Sequence, residues 1–144
     1  MIEPCRIAEV LGGRAVLRRR VRSLSDLSEA VAQGLPKSAL RNAVQRALER
    51  AGERWDLLYR IVPEATFKRR RDRLTPAESE RTERLARVIA TAEHVWGEGE
   101  DTRRFLTTSH PALGGQTPLD AARTELGARQ VEELLAKIEH GLPA

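Results

Sequence analysis

The feature that most constrains this chain is the tetrapeptide Thr75-Pro76-Ala77-Glu78 and the run behind it. Thr75 has the hydroxyl of an N-cap, Pro76 has its φ preset for the first helical position, and Glu78 stands where a capping box needs a carboxylate. Leu85, Val88, Ile89, Ala92 and Val95 then recur at helical spacing up to Trp96, and Gly97 stops the run. A helix over 76–96 is about 31 Å long at 1.5 Å per residue. That long helix is expected to join two helical parts of the chain.

Those elements also read as helices. Ser23-Leu-Ser-Asp26 is a second capping-box start, followed by Leu24, Leu27 and Val31, with Gly34 expected as a left-handed C-cap. Pro36 is expected at N1 of a helix carrying Leu40, Ala43, Val44, Ala47 and Leu48, which Gly52 ends. A short helix puts Trp55, Leu58 and Ile61 on one face. Pro63 then marks a tight turn into a helix over 64–73. Beyond Gly97 come a helix over 101–107, a loop His110–Gln116, a start at Thr117-Pro118, and a final helix with Val131, Leu134, Leu135 and Ile138 ending at Gly141. Residues 1–22 fit neither period, and Arg14–Arg22 reads as an extended arm. No long alternating stretch occurs, so the expected fold is all-α.

Charge divides the 144 residues. Residues 1–75 hold 17 basic and 9 acidic side chains, and residues 76–144 hold 8 and 12. The first region is therefore net +8 and the second net −4, which points to two different partners. The division expected is a basic helix-turn-helix region over 1–75, then the long helix and a helical partner-binding domain over 76–144.

Several classes of function are excluded or disfavoured. Cys5 is the sole cysteine, and His94, His110 and His140 lack any metal-ligand spacing, so no metal is expected. Gly12-Gly13 and Gly114-Gly115 are turns, not phosphate loops, and no cofactor is expected. No catalytic constellation is visible, so an enzyme is not expected. No apolar run approaches the ~18 residues of a membrane span, and no signal peptide is seen at the N-terminus, so the expected location is cytoplasmic. Five aromatics are too few and scattered for a single-strand stacking platform.

The run Glu64-Ala-Thr-Phe-Lys-Arg-Arg-Arg-Asp-Arg73 is the best candidate for a recognition helix. On a helical wheel Phe67 and Leu74 fall about 20° apart and would anchor it. Ala65, Arg69 and Arg73 lie broadly opposite, Thr66 and Lys68 flank them, and Arg70 and Arg71 lie nearer the core edge, from which they could still reach phosphates by snorkelling. Arg forks match guanine O6 and N7, and the remaining cations neutralise phosphates. The DNA-binding residues expected are Thr66, Lys68, Arg69, Arg70 and Arg73. An RNA or membrane surface is the other use of a basic helix, but the apolar face that membranes require is missing.

Three segments carry a family resemblance. Leu74-Thr-Pro-Ala-Glu-Ser-Glu-Arg-Thr-Glu-Arg-Leu-Ala-Arg87, His110-Pro-Ala-Leu-Gly-Gly-Gln-Thr-Pro-Leu119 and the ending Gly127–Gly141 resemble the Xre–MbcA–ParS antitoxins, as do Gly12-Gly13 and Gly34-Leu-Pro36. The resemblance implies an Xre-like DNA-binding part, a C-terminal toxin-binding part, a homodimer, and a RES-domain toxin that hydrolyses NAD or ADP-ribosylates a target. It implies neutralisation by covering the toxin's active site, and autorepression. A cleft that holds an anionic dinucleotide would be cationic, which the acidic region complements. The resemblance places Leu113, Gly114, Gly115, Thr117 and Pro118 of the loop against the toxin. With them go Glu132 and Glu139, and Gly141, Leu142 and Ala144 of the tail. The family's turn often reads Gly-Ile-Ser, whereas this chain has Arg60-Ile-Val-Pro63. A stand-alone dimeric helix-turn-helix regulator without a toxin is the alternative reading.

Overall fold

The computed structural model describes residues 1–142. Ten α-helices occur among them: α1 Pro4–Val10, α2 Gly13–Leu17, α3 Leu24–Gln33, α4 Lys37–Ala47, α5 Ala51–Ile61, α6 Glu64–Arg69, α7 Pro76–Trp96, α8 Glu100–Thr107, α9 Pro118–Ala121 and α10 Glu125–Glu139. A 3₁₀ turn, Pro111–Leu113, precedes α9. The described residues contain no strand, only one antiparallel bridge between Pro36 and Arg73. The fold is all-α, as the sequence indicates.

Helix α7 is the spine. Both elements of its capping box form: Thr75 Oγ1 accepts from Glu78 N at 3.2 Å, and Thr75 N donates to Glu78 Oε1 at 2.9 Å. Helices α1, α3, α4 and α5 pack on it from the N-terminal side of the chain, and α8, α9 and α10 from the C-terminal side. Leu85, Val88, Ile89 and Ala92 are fully buried in one continuous core. Packing on several sides also buries polar residues of α7, and each is satisfied. Ser79 Oγ accepts from Leu35 N at 2.8 Å, Thr82 Oγ1 donates to Glu78 O at 2.9 Å, and Glu93 takes two bonds from Arg46 at 2.9 and 2.7 Å.

Five local expectations are corrected. Residues 1–22 are not simply an arm: α1 and α2 form there, with Ile7, Val10, Leu11 and Leu17 buried. Docking stabilises helices too short to persist alone. Pro36 is the residue before α4, not its first turn. Gly34 has positive φ (91°) but ψ of 122°, outside the left-handed helical region. Gly52 lies inside α5, because α4 already ends at Ala47. Trp55 is 44% exposed and stacks on Tyr59 with ring centroids 5.5 Å apart, leaving Leu57, Leu58 and Ile61 to face the core.

Candidate functional site

Helices α5 and α6, joined by a short turn, are the pair that the sequence marks for the helix-turn-helix. Val62 is fully buried and extended, and Pro63 precedes α6 with φ −52° and ψ 147°. Phe67 anchors α6. Its ring meets Tyr59 edge-on at 6.4 Å, and Lys37 Nζ and the Arg41 guanidinium lie 4.4 and 5.4 Å from its centroid. Both cations come from α4, four residues apart, and so share a helix face.

The helix expected over 64–73 ends at Arg69. Backbone bonds to the segment before α4 draw the chain away: Lys37 N donates to Asp72 O at 2.9 Å and Leu74 N to Leu35 O at 2.8 Å. Lys37 Nζ also donates to Arg70 O at 3.0 Å. The wheel that set Arg69 and Arg73 on one face therefore does not apply beyond Arg69.

The five expected DNA-contact residues divide accordingly. Arg69 is exposed and makes no side-chain hydrogen bond or ion pair among the described residues. Thr66 is half-buried near the start of α6. Lys68 is exposed but paired with Glu64 at 2.8 Å, and that hydrogen bond raises its pKa. Arg70 is engaged inside the molecule, holding Glu78 with two bonds at 3.0 and 2.9 Å. Arg73 Nη1 donates to Gly34 O at 2.7 Å. Arg71 and Arg41 are exposed beside α6 without partners among the described residues. Sequence reasoning missed Arg41; the signal was its i,i+4 relation to Lys37 on α4.

The segment 110–117 is a closed loop. His110 N donates to Gln116 O and Gly115 N to His110 O, both at 3.1 Å, while His110 Nδ1 accepts from Ala112 N. Gly114 and Gly115 stand at the exposed tip with φ of 67° and 83°. Leu113 and Pro118 are buried and anchor the loop. Thr117 Oγ1 caps α9 by accepting from Asp120 N at 3.1 Å, and Asp120 pairs with Arg60 of α5 at 3.0 Å.

On α10, Glu132 contacts Arg87 Nε at 2.7 Å, and Glu139 contacts His94 Nε2 at 2.5 Å. The other ring nitrogen of His94 faces Arg6 Nη1 at 2.9 Å, and since Arg only donates, that nitrogen accepts. Glu133 is exposed and carries no ion pair among the described residues. Gly141 and Leu142 are exposed, with Leu142 N bonded to Lys137 O at 2.8 Å. Ala144 lies outside the described residues. No helix among those described is long and apolar enough to cross a membrane.

Comparison with known proteins matches two domains in the chain. Residues 26–87 match the antitoxin Xre-like helix-turn-helix domain, a span that includes α5, α6 and their turn. Residues 91–141 match the antitoxin Xre/MbcA/ParS C-terminal toxin-binding domain, which takes in the closed loop and α10. A Pseudomonas putida protein called antitoxin Xre is 32% identical over 153 aligned residues, covering 96% of this chain and 94% of its own. A Yersinia enterocolitica protein of the same name is 36% identical over 86 residues, 56% of this chain and 57% of its own. With both domains matched in order and a likeness that runs nearly end to end, the chain belongs to the Xre/MbcA/ParS antitoxins of toxin–antitoxin systems.

Proposed function

We propose that this antitoxin neutralises a cognate RES-type toxin, one that hydrolyses NAD or ADP-ribosylates a target, by covering its active site. As a homodimer in the cytoplasm it also binds operator DNA and represses its own operon. It acts by binding rather than by catalysis. The observation that carries the reading is the pairing, in one chain, of two unlike surfaces. One is the face beside α6, where Arg69, Arg71 and Arg41 are exposed and uncompensated. The other is the exposed tip Gly114-Gly115 with the acidic side of α10.

On the DNA side, Thr66 and Arg69 are the base-contacting candidates, with Lys68, Arg71 and Arg41 on phosphates. Arg70 and Arg73 serve by holding the turn after α6. On the toxin side, Gly114, Gly115, Glu133, Gly141 and Leu142 are the candidates for direct contact, with Ala144 beyond them. Leu113, Thr117 and Pro118 shape the loop. Glu132 and Glu139 become contacts only by exchanging Arg87 and His94 for toxin cations.

Co-expression with the neighbouring open reading frame is the test. Wild-type chain and Arg69→Ala should both rescue growth, while only the wild type silences a reporter driven by the operon promoter. A folded Arg69→Ala chain that loses both activities overturns the two-surface division. Absence of rescue by the wild type overturns the neutralising role.

A further inference from the structure

Most arginines of this chain are engaged within it, on a carboxylate, a carbonyl or a ring nitrogen. Residues 14–22, before the matched helix-turn-helix span, gather four of those that are not. Arg14, Arg18, Arg20 and Arg22 are exposed, and none makes a side-chain hydrogen bond or ion pair among the described residues. Between them the chain is pinned down. Leu17 and Val21 are buried, and Arg19 is turned in, with Nη2 on Glu29 at 2.8 Å. Asp26 accepts from Arg22 N at 2.9 Å and Ser23 N at 3.2 Å. Inward and outward side chains therefore alternate from Leu17 to Arg22, and every outward one is Arg. Arg18 has φ of 56°, the sole non-glycine residue with positive φ among the described residues. Arg18 is there the left-handed C-cap of α2, its N–H donating to Arg14 O at 2.8 Å.

We propose that Arg18, Arg20 and Arg22, with Arg14 beside them, form a second contact for the phosphate backbone of duplex DNA, outside the helix-turn-helix. The proposal rests on the DNA-binding reading of α5 and α6. A pinned backbone with unpaired guanidinium groups presents positive charge with little ordering cost, and Arg suits phosphate oxygens. The apolar side chains Leu17 and Val21 point inward, so the segment lacks the apolar face that would insert into a membrane. Its distance from α6 also fits. Helix α3 runs from this segment to Gly34, whose carbonyl Arg73 holds. Ten residues of helix span about 15 Å, or roughly four base-pair steps at 3.4 Å. The proposal has one duplex meet both places.

The experiment is fluorescence anisotropy with the full chain. One duplex spans the region upstream of its own gene, and the other is a shuffled duplex of equal length. Both are titrated from about 50 to 200 mM salt, the range over which phosphate contacts dominate affinity. Arg18→Gln/Arg20→Gln/Arg22→Gln should make the slope of log K against log salt shallower by about two to three on both duplexes. Arg14→Gln/Arg20→Gln, which leaves the Arg18 backbone alone, should lose about one to two. Arg69→Ala should instead erase the preference for the upstream duplex and keep most of the slope. Unchanged affinity and slope in both arm variants, with wild-type binding intact, overturns the proposal and leaves the helix-turn-helix reading standing. Wild-type chain that binds neither duplex overturns both. Arm variants that lose binding to phosphatidylserine vesicles but keep duplex binding assign the segment to membranes instead.

Discussion

At the residue scale, Glu78 shows how much one side chain holds. It closes the capping box of α7, takes two bonds from Arg70, and is itself buried. The Arg70 guanidinium is the main cause that brings its carboxyl from 4.5 down to about 2; burial pushes the other way and loses. A depressed carboxylate contributes fully above its ordinary pKa and is lost as pH falls through the folded value. Its contribution should therefore disappear between about pH 4.5 and pH 2. Glu78→Gln should cost about 1–3 kcal/mol at pH 7, since it weakens a cap and a charged bond together. Urea melts at a series of pH values should show wild type and variant converging near pH 2. A gap that stays constant would mean that the pair contributes nothing through its charge. A second residue-scale prediction concerns Gly127, in the first turn of α10. A Cβ there would stand 1.9 Å from Ala121 O and 2.8 Å from Ala121 C, both backbone atoms. Gly127→Ala must displace α9 or α10 and should cost about 1–3 kcal/mol, at the level of an overpacked core. A thermal melt within a degree of wild type would show that the two helices separate easily.

At the element scale, legibility follows the range of the interaction. The starts of α3 and α7 were legible because a capping box is written within four residues, and both boxes form as the sequence indicates. The end of α6 was not, because it is fixed by bonds to Leu35 and Lys37, more than thirty residues earlier. Helices α1 and α2 were missed for a like reason: their apolar residues are too few to show a period, and tertiary docking holds them. The same limit touched the sites. Leu113 looks like a loop residue in sequence, yet it is buried in the folded 110–117 segment. Arg73 looks like part of an exposed basic face and Arg70 like its edge, and only the fold shows what they hold. From this follows a separation between two arginines that sequence treats alike. Arg69→Ala should abolish sequence-specific DNA binding with melting unchanged. Arg73→Ala should lower stability by about 0.5–1.5 kcal/mol through loss of its bond to Gly34 O. Mobility shifts and melts on both variants decide it; equal melting with equal loss of DNA binding would return Arg73 to the interface.

At the scale of the whole molecule, α7 belongs to both matched regions, since the first ends at residue 87 and the second begins at 91. One core runs through it, so the chain should unfold in a single transition. Arg87 is the electrostatic joint between this spine and α10. It lies 3.5 Å from Glu83, 3.0 Å from Glu125 and 2.7 Å from Glu132. Burial pushes the Glu83 carboxyl up, the neighbouring Glu125 and Glu132 add to that, and Arg87 opposes it. Arg87→Ala leaves three carboxylates facing one another, and breaking such a partly buried group should cost about 2–4 kcal/mol at pH 7. The sign of its pH dependence is opposite to that of Glu78. A carboxyl whose folded pKa is raised penalises the fold above that pKa, and the penalty is gone below the ordinary value of 4.5. The Arg87→Ala deficit should therefore shrink from pH 7 to pH 5, because wild type, whose Glu83 keeps Arg87 beside it, gains less over the same range. Urea melts at the two values read this directly. A deficit equal at the two values would mean that Arg87 acts through packing alone, and two separate transitions would mean that α10 is held by Arg87 rather than by the shared core.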